Sequence, residues 1–285
     1  MRLSLCGLLA CCMTMLGETK TGLPRLDHLA PFLAEVIQHQ RRLDGRAVYG
    51  VDYVCTTREW VRWFDAKGRL KSSETNTYDV YPGEPHSILV RTEHNGVPAA
   101  PARLEAERAR AVKAMEDFLA RKARLPQGEH DLCNTPGYHG MLVGVYGFLE
   151  HSAFFEVAAD ALEGRPMIRL SFRPRPGFKD PQGVLDHMQG QVWVDAADRV
   201  VAKATAWPAG ARAADGLFFE MDDRKVFPDM WGQVYYRLNP SLRPDLFSRW
   251  LHDERFDFSF EVSGYQRFNV GKAQVGKVQM EATGH

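Results

Sequence analysis

Apolar positions along this chain follow two periods. Between residues 26 and 43, Leu26, Leu29, Ala30, Leu33, Val36, Ile37 and Leu43 recur at the i, i+3, i+4, i+7 spacing of one helical face. Asp27 can cap such a helix, Pro31 must lie in its first turn, and Gly45 is placed to stop it. Across 98–124, Leu104, Ala111, Met115, Phe118 and Leu119 form a second stripe. Glu105, Glu107, Arg108, Arg110, Lys113 and Glu116 cover the rest of that helix as a solvated face.

Elsewhere the period is that of strands. Ala47, Tyr49, Val51, Tyr53 and Cys55 share one face, and the run continues through Trp60, Val61, Trp63 and Phe64. A turn at Asp65-Ala66-Lys67-Gly68 leads into a Thr/Ser-rich strand at 69–81. Pro82-Gly83 turns into a third strand at 86–93, which Asn95-Gly96 closes. The segment 127–151, rich in Gly, Pro and His, reads as the longest irregular stretch. From about 152 the chain is hairpin after hairpin. Residues 154–162 and 167–172 flank a turn at Glu163-Gly164-Arg165-Pro166, and 191–194 and 200–207 flank one at Asp195-Ala196-Ala197-Asp198. Residues 217–221 and Val226 turn back into 231–238. Last, Phe256, Phe258, Phe260 and Val262 alternate with Asp257, Ser259 and Glu261. Short antiparallel strands at this spacing predict a sandwich, a barrel or a large curved sheet.

Composition narrows the class. Apolar residues make up 45% of the 285, enough for a large core. Lys plus Arg equals Asp plus Glu at 36 each, so there is no net field to draw in nucleic acid. The start of the chain has a single cation, Arg2, before the apolar run from Leu3 to Leu16, which Gly17-Glu18-Thr19-Lys20 ends. A run of roughly 14 residues is too short to span a bilayer and has the shape of a signal peptide. The expected boundaries are a leader at 1–17 and one β-rich domain at 18–285. Leu8-Leu9-Ala10-Cys11 resembles a lipobox, which leaves an anchored lipoprotein as the alternative to plain secretion into the periplasm. Removing the leader leaves Cys55 and Cys133. In an exported chain such a pair suggests a disulfide closing a long loop, with an entropic gain of about 4 kcal/mol. Two unpaired thiols are the other possibility.

Catalytic signatures are absent from the sequence. It contains no GxSxG, no HExxH, no phosphate-binding glycine loop and no CxxC. The ten histidines include no i, i+4 pair on a predicted helix. The best local cluster is His130 and His139 with Asp131 and Cys133, which fits no common zinc spacing and reads as a polar loop. No catalytic residue, metal or cofactor is therefore expected. Arg173, Arg175 and Lys179 stand near one turn and could hold a phosphate, but nothing in their spacing fixes them together, and a proline-stiffened connection is the plainer reading. Trp193, Trp207, Trp231 and Trp250 sit in or beside predicted strands, where aromatics fill a core or line an acyl cavity. The expected lining is Trp193, Trp207 and Trp231 with Phe256, Phe258 and Phe260.

Several local phrases resemble one family. They are Tyr53 to Thr57 with Asp65 to Gly68 and Thr77 to Tyr81; Asn95-Gly96-Val97-Pro98; Gly164-Arg165 to Gly177; Gly190-Gln191-Val192-Trp193-Val194-Asp195; and Phe258 to Phe268 with Gly264-Tyr265. They resemble uncharacterised exported proteins of the periplasmic lipoprotein-sorting superfamily, the LolA/LolB-like proteins, over nearly the whole mature chain. The resemblance implies an α+β, mainly β fold, in which a half-open β-barrel, a large curved antiparallel sheet, packs against two or more helices. It also implies a non-enzymatic, monomeric carrier whose partner is a lipid, an acyl chain or a lipidated protein. A sensor or adaptor that binds an envelope protein is the alternative. An envelope hydrolase has no nucleophile–base pair in its favour.

Overall fold

The structure, a computed structural model, describes residues 23–49, 53–82, 87–122, 145–180, 183–242 and 255–267. The expected leader, Cys11, Cys133, His130, His139 and Trp250 lie outside them.

A single turn of 3-10 helix at Leu26–His28 leads into α1, Leu29–Tyr49. Pro31 sits in its first turn, where a missing N–H leaves no bond unmade. The helix runs past Gly45 and takes in residues 47–49, which were expected to open a strand. A lone glycine costs only about 1 kcal/mol in a helix, too little to end one. Strands β1 (Tyr53–Phe64), β2 (Leu70–Tyr81), β3 (Ile88–His94) and β4 (Val97–Pro98) follow, then α2 (Pro101–Lys122). A short α3, Val145–His151, falls in the segment expected to be irregular. The remaining strands are β5 (Ser152–Leu162), β6 (Arg165–Pro174), β7 (Met188–Asp195), β8 (Val201–Pro208), β9 (Phe219–Phe227), β10 (Met230–Leu238) and β11 (Arg255–Arg267). Two hairpin tips form as the sequence predicts: Asn95-Gly96 and Glu163-Gly164 both take positive φ at each residue, the twist that a two-residue hairpin needs.

All eleven strands join one antiparallel sheet in the order β4-β3-β2-β1-β11-β10-β9-β8-β7-β6-β5. The sheet is curved and does not close. Its one long-range join is β1 against β11, where Arg62 faces Asp257. Pairing between β10 and β11 is brief, from Tyr235–Glu261 to Leu238–Phe258. Beyond it Tyr265 fills the parting: its hydroxyl donates to the Gln233 carbonyl, and its ring lies where a Cβ on Gly232 would meet it at 2.9 Å.

The main core lies on one face of β5–β10, under α1 and α3. Leu29, Phe32 and Val36 come from α1, and Val145, Phe148 and Leu149 from α3. Phe148 stacks on Phe172 at 5.1 Å between ring centroids and tilts on Phe219 at 5.5 Å. Phe172 can lie flat there only because Gly190 has no side chain: a Cβ would stand 2.7 Å from its ring and 2.0 Å from the Thr205 carbonyl oxygen. Helix α2 does not join this core. Met115 and Phe118 pack on Val54, Tyr81 and Ile88, and Arg108 pairs with Asp79. The neighbours Cys55 and Val80 point the other way, into a cluster with Val262, which shares a strand face with Phe260 and Phe258 of the main core. The apolar stripe of α2 therefore covers the face opposite to the one under α1.

Candidate functional site

Strand register shows how the two faces are built. One row of paired positions on the core face runs Val157, Leu170, Val192, Ala204, Met221, Tyr236, Phe260, Glu59, Asn76 and His94. It is wholly apolar and buried from Leu170 to Met221, half-buried at Phe260, and polar beyond. The next row behaves alike: Phe172, Gly190, Ala206, Phe219, Leu238, Phe258, Val61 and Glu74. Hence the core face grades from a closed interior under α1 and α3 to an open margin on β11, β1 and β2. An aromatic chain crosses that boundary. Phe219 meets Tyr236 edge-on at 5.5 Å, Tyr236 stacks on Phe260 at 5.2 Å, and Phe260 meets Phe258 at 5.8 Å. Beside them Phe256 tilts on Trp63 at 5.5 Å. Phe256, Phe258, Phe260, Val61 and Trp63 are each only partly buried.

The six residues expected to line one apolar cavity are split between the faces. Phe258 and Phe260 pack against the main core, and Phe256 alternates onto the same side. Trp193 stands between Val192 and Val194, both core residues, and so points the other way; its indole N–H donates to Asp160 at 2.9 Å. Trp207 follows Ala204 and Ala206 of the core and pairs across to Gln189 on the far face. Trp231 packs with Met167, Val200 and Ala202 and donates to Asp198 at 2.9 Å. Arg165 lies over its ring, and Asp198 also accepts from Lys225, which draws the Asp198 carboxyl below its usual range. Trp193, Trp207 and Trp231 thus brace the sheet from outside. Period-2 alternation could have separated Trp193 from Val192, but only packing tells which parity is the inner one.

On the far face a groove of about 740 Å³ is lined by Thr56, Arg58, Thr77, Asp222, Tyr235 and Glu261, among others. It is polar, and none of the six expected residues lines it. Also on that face, Asp257 is 3% exposed and takes a bidentate pair from Arg237 at 3.1 and 3.0 Å and a further contact from Arg62. This carboxylate ties β1, β10 and β11 together beside the short pairing of β10 with β11. Arg173, Arg175 and Lys179 do not converge: Arg175 donates to the Glu150 and Ser152 carbonyls, and Arg173 lies over Phe155. Cys55 is a buried thiol, its pKa pushed up to about 12 by desolvation. Among the described residues no group of three or more His, Cys, Asp or Glu could hold a metal ion, and no helix is long and apolar enough to cross a membrane.

Glu59 is the one charged group in the first row. It sits between Phe260 and Asn76, and burial lifts its carboxyl above the ordinary range. Asn76 is itself buried and bonded to the His94 ring at 2.8 Å. Sequence reading missed Glu59, because nothing local distinguishes it from the exposed Arg58 and Arg62 on the same strand.

No protein family and no curated protein matches this chain. Solved structures do. A DUF1329 family protein from Desulfovibrio piger is 12% identical with a TM-score of 0.31, over 84% of this chain and 92% of the other. A domain assigned to outer membrane lipoprotein sorting from Vibrio parahaemolyticus is 11% identical with a TM-score of 0.34, over 86% and 94%. A LolA superfamily protein from Nitrosomonas europaea is 10% identical with a TM-score of 0.31, over 82% and 94%. The last two bear the names of the superfamily that the sequence phrases resemble. At such scores the likeness carries no functional argument.

Proposed function

We infer that this protein binds the apolar part of an amphiphile, a lipid, an acyl chain or a lipidated protein, on the open margin of its core face, and escorts it within the cell envelope without chemical conversion. One observation carries the reading. The core does not end at a polar rim but continues onto β11 and β1 as Phe260, Phe258, Phe256, Val61 and Trp63, each left partly exposed. A stripe of aromatic surface joined to a rigid core offers apolar area at little ordering cost. Each methylene laid on it contributes about 0.8 kcal/mol, so ten would give roughly 8 before association costs. The leader-like start of the sequence supports an envelope location, where apolar cargo must cross water.

The burial of the described core residues under α1 and α3 favours one revision. The ligand lies along a face and is not swallowed by a barrel, and the same face could instead take an apolar segment of a partner protein. A fluorescent fatty-acid analogue titrated into delipidated protein separates the two. Saturable binding, weakened by Trp63→Ala and competed by unlabelled lipid, is the expected result. Absence of binding leaves the adaptor.

A further inference from the structure

The open margin of the core face has a charge pattern that the acyl stripe alone does not require. On β1 the positions facing this side are Thr57, Glu59, Val61 and Trp63; on β2 they are Ser72, Glu74, Asn76 and Tyr78; on β11 they are Phe256, Phe258, Phe260 and Val262. Two carboxylates stand among them and no lysine or arginine. The cations of β1, Arg58 and Arg62, alternate onto the far face, where Arg62 pairs with Asp257. Glu59 makes no hydrogen bond and no ion pair with any described residue, although it is partly buried. The nearest basic groups on its side by register are Arg91, across from Tyr78, and His94, across from Asn76, each two strands away. A partly desolvated carboxylate left without a cation is an unfavourable arrangement in the free protein.

We propose that Glu59 is the headgroup contact of this face, selecting amphiphiles that carry an ammonium group. The proposal rests on the acyl-binding reading of the stripe. Glu59 lies opposite Phe260, and Trp63 lies opposite Phe256, four residues further along the same strand. That is about 13 Å of extended backbone. An acyl chain laid between them places its tail on Phe256 and Trp63 and its headgroup against Glu59. Tyr78, one strand over, adds a hydroxyl, and Glu74 adds a second negative charge at the exposed edge. An ammonium supplies the missing counter-charge and donors, whereas a carboxylate or phosphate alone would meet two acids. The raised carboxyl pKa agrees with a group that waits for a cation, and ammonium binding would bring it down.

The test compares three probes of one chain length, an alkylamine, an alkyl alcohol and an alkyl carboxylate, by calorimetry on the full delipidated chain at neutral pH. The wild type should bind the amine about tenfold more tightly than the alcohol, and the carboxylate most weakly. Glu59→Gln, which leaves no partner stranded, should bring the amine down to within about twofold of the alcohol. Trp63→Ala should weaken all three probes alike. Equal affinity for the three headgroups, or an amine preference that survives Glu59→Gln, overturns the headgroup assignment and leaves the acyl face standing. Failure of every probe to bind overturns the acyl face as well.

Discussion

The two halves of the sheet solve the same problem in different ways. From β5 to β10 a helix pair seals the core face, and the residues beneath it, Leu170, Val192, Val194, Val201 and Met188, are fully buried. On β11 and β1 the same face carries Phe256, Phe258, Val61 and Trp63 at partial exposure, while the local helix, α2, packs on the other side. The first half is built for stability, with aromatic rings interlocked over a glycine. The second leaves apolar surface partly exposed, and the Asp257 pairs tie β1 and β11 to β10. Partly exposed aromatic surface held on a rigid frame serves ligand binding better than it serves folding.

Substitutions should break this contrast in a graded way. The largest effect is expected in the sealed half. Phe172→Ala removes a ring that stacks on Phe148 and meets Phe154, and should cost about 4 kcal/mol in urea unfolding. Gly190→Ala should approach that value for the opposite reason, since its methyl would meet the Thr205 backbone.

Asp257→Ala comes next, at about 2 kcal/mol. It strands Arg62 and Arg237, but both guanidiniums keep some access to water, which holds the loss below that of a fully buried pair. Chemical denaturation should show the drop, and hydrogen exchange should place it in β1, β10 and β11.

In the open half Trp63→Ala should cost no more than about 1 kcal/mol, because its ring is only partly buried. Its effect should instead appear as a roughly tenfold loss of acyl-probe affinity. A Trp63 variant as destabilised as Phe172→Ala would make the two halves alike and remove the ground for treating this face as a site.

Glu59→Gln should change stability least, and in a pH-dependent way. The folded state raises the carboxyl pKa, so it holds the proton more tightly than the unfolded chain does. The wild type therefore loses a little stability as pH rises from the ordinary carboxyl value of 4.5 through the raised one, and stays lower above it. The Gln variant should lack that step and equal or exceed the wild type at neutral pH, as thermal melts at pH 4 and 7 would show. Cys55 offers a final check with no effect on stability at all. With its pKa near 12, it should resist iodoacetamide in the native state at neutral pH and react once the protein is unfolded. Thiol counting on denatured, non-reduced protein would then decide whether Cys133 is its partner.

Much of this architecture was legible in the residues, because it rests on local rules. Strand alternation, the Asn95-Gly96 and Glu163-Gly164 hairpins and the α2 stripe each need fewer than thirty contiguous residues to be seen. Helix α3 carries its signal too: Val145, Phe148 and Leu149 stand at i, i+3 and i+4 and are all buried, but a two-turn helix is too short for periodicity to declare. Gly45 misled because a glycine's weak helix propensity yields to its neighbours. What the sequence could not supply was the side of the sheet on which each residue falls. Alternation sorts a strand into two parities but does not say which is inward. That depends on which helix lands on which face, and on the pairing of β1 with β11, nearly two hundred residues apart. Local patterning thus sets a hairpin-rich antiparallel sheet with two amphipathic helices. Tertiary packing decided that Trp193, Trp207 and Trp231 brace the outside, that α2 covers the far face, and that Glu59 follows Phe260 in its row as a carboxylate with no cation paired to it among the described residues. Those outcomes follow from long-range packing, where burial of a whole face outweighs anything a local stretch of chain can prefer.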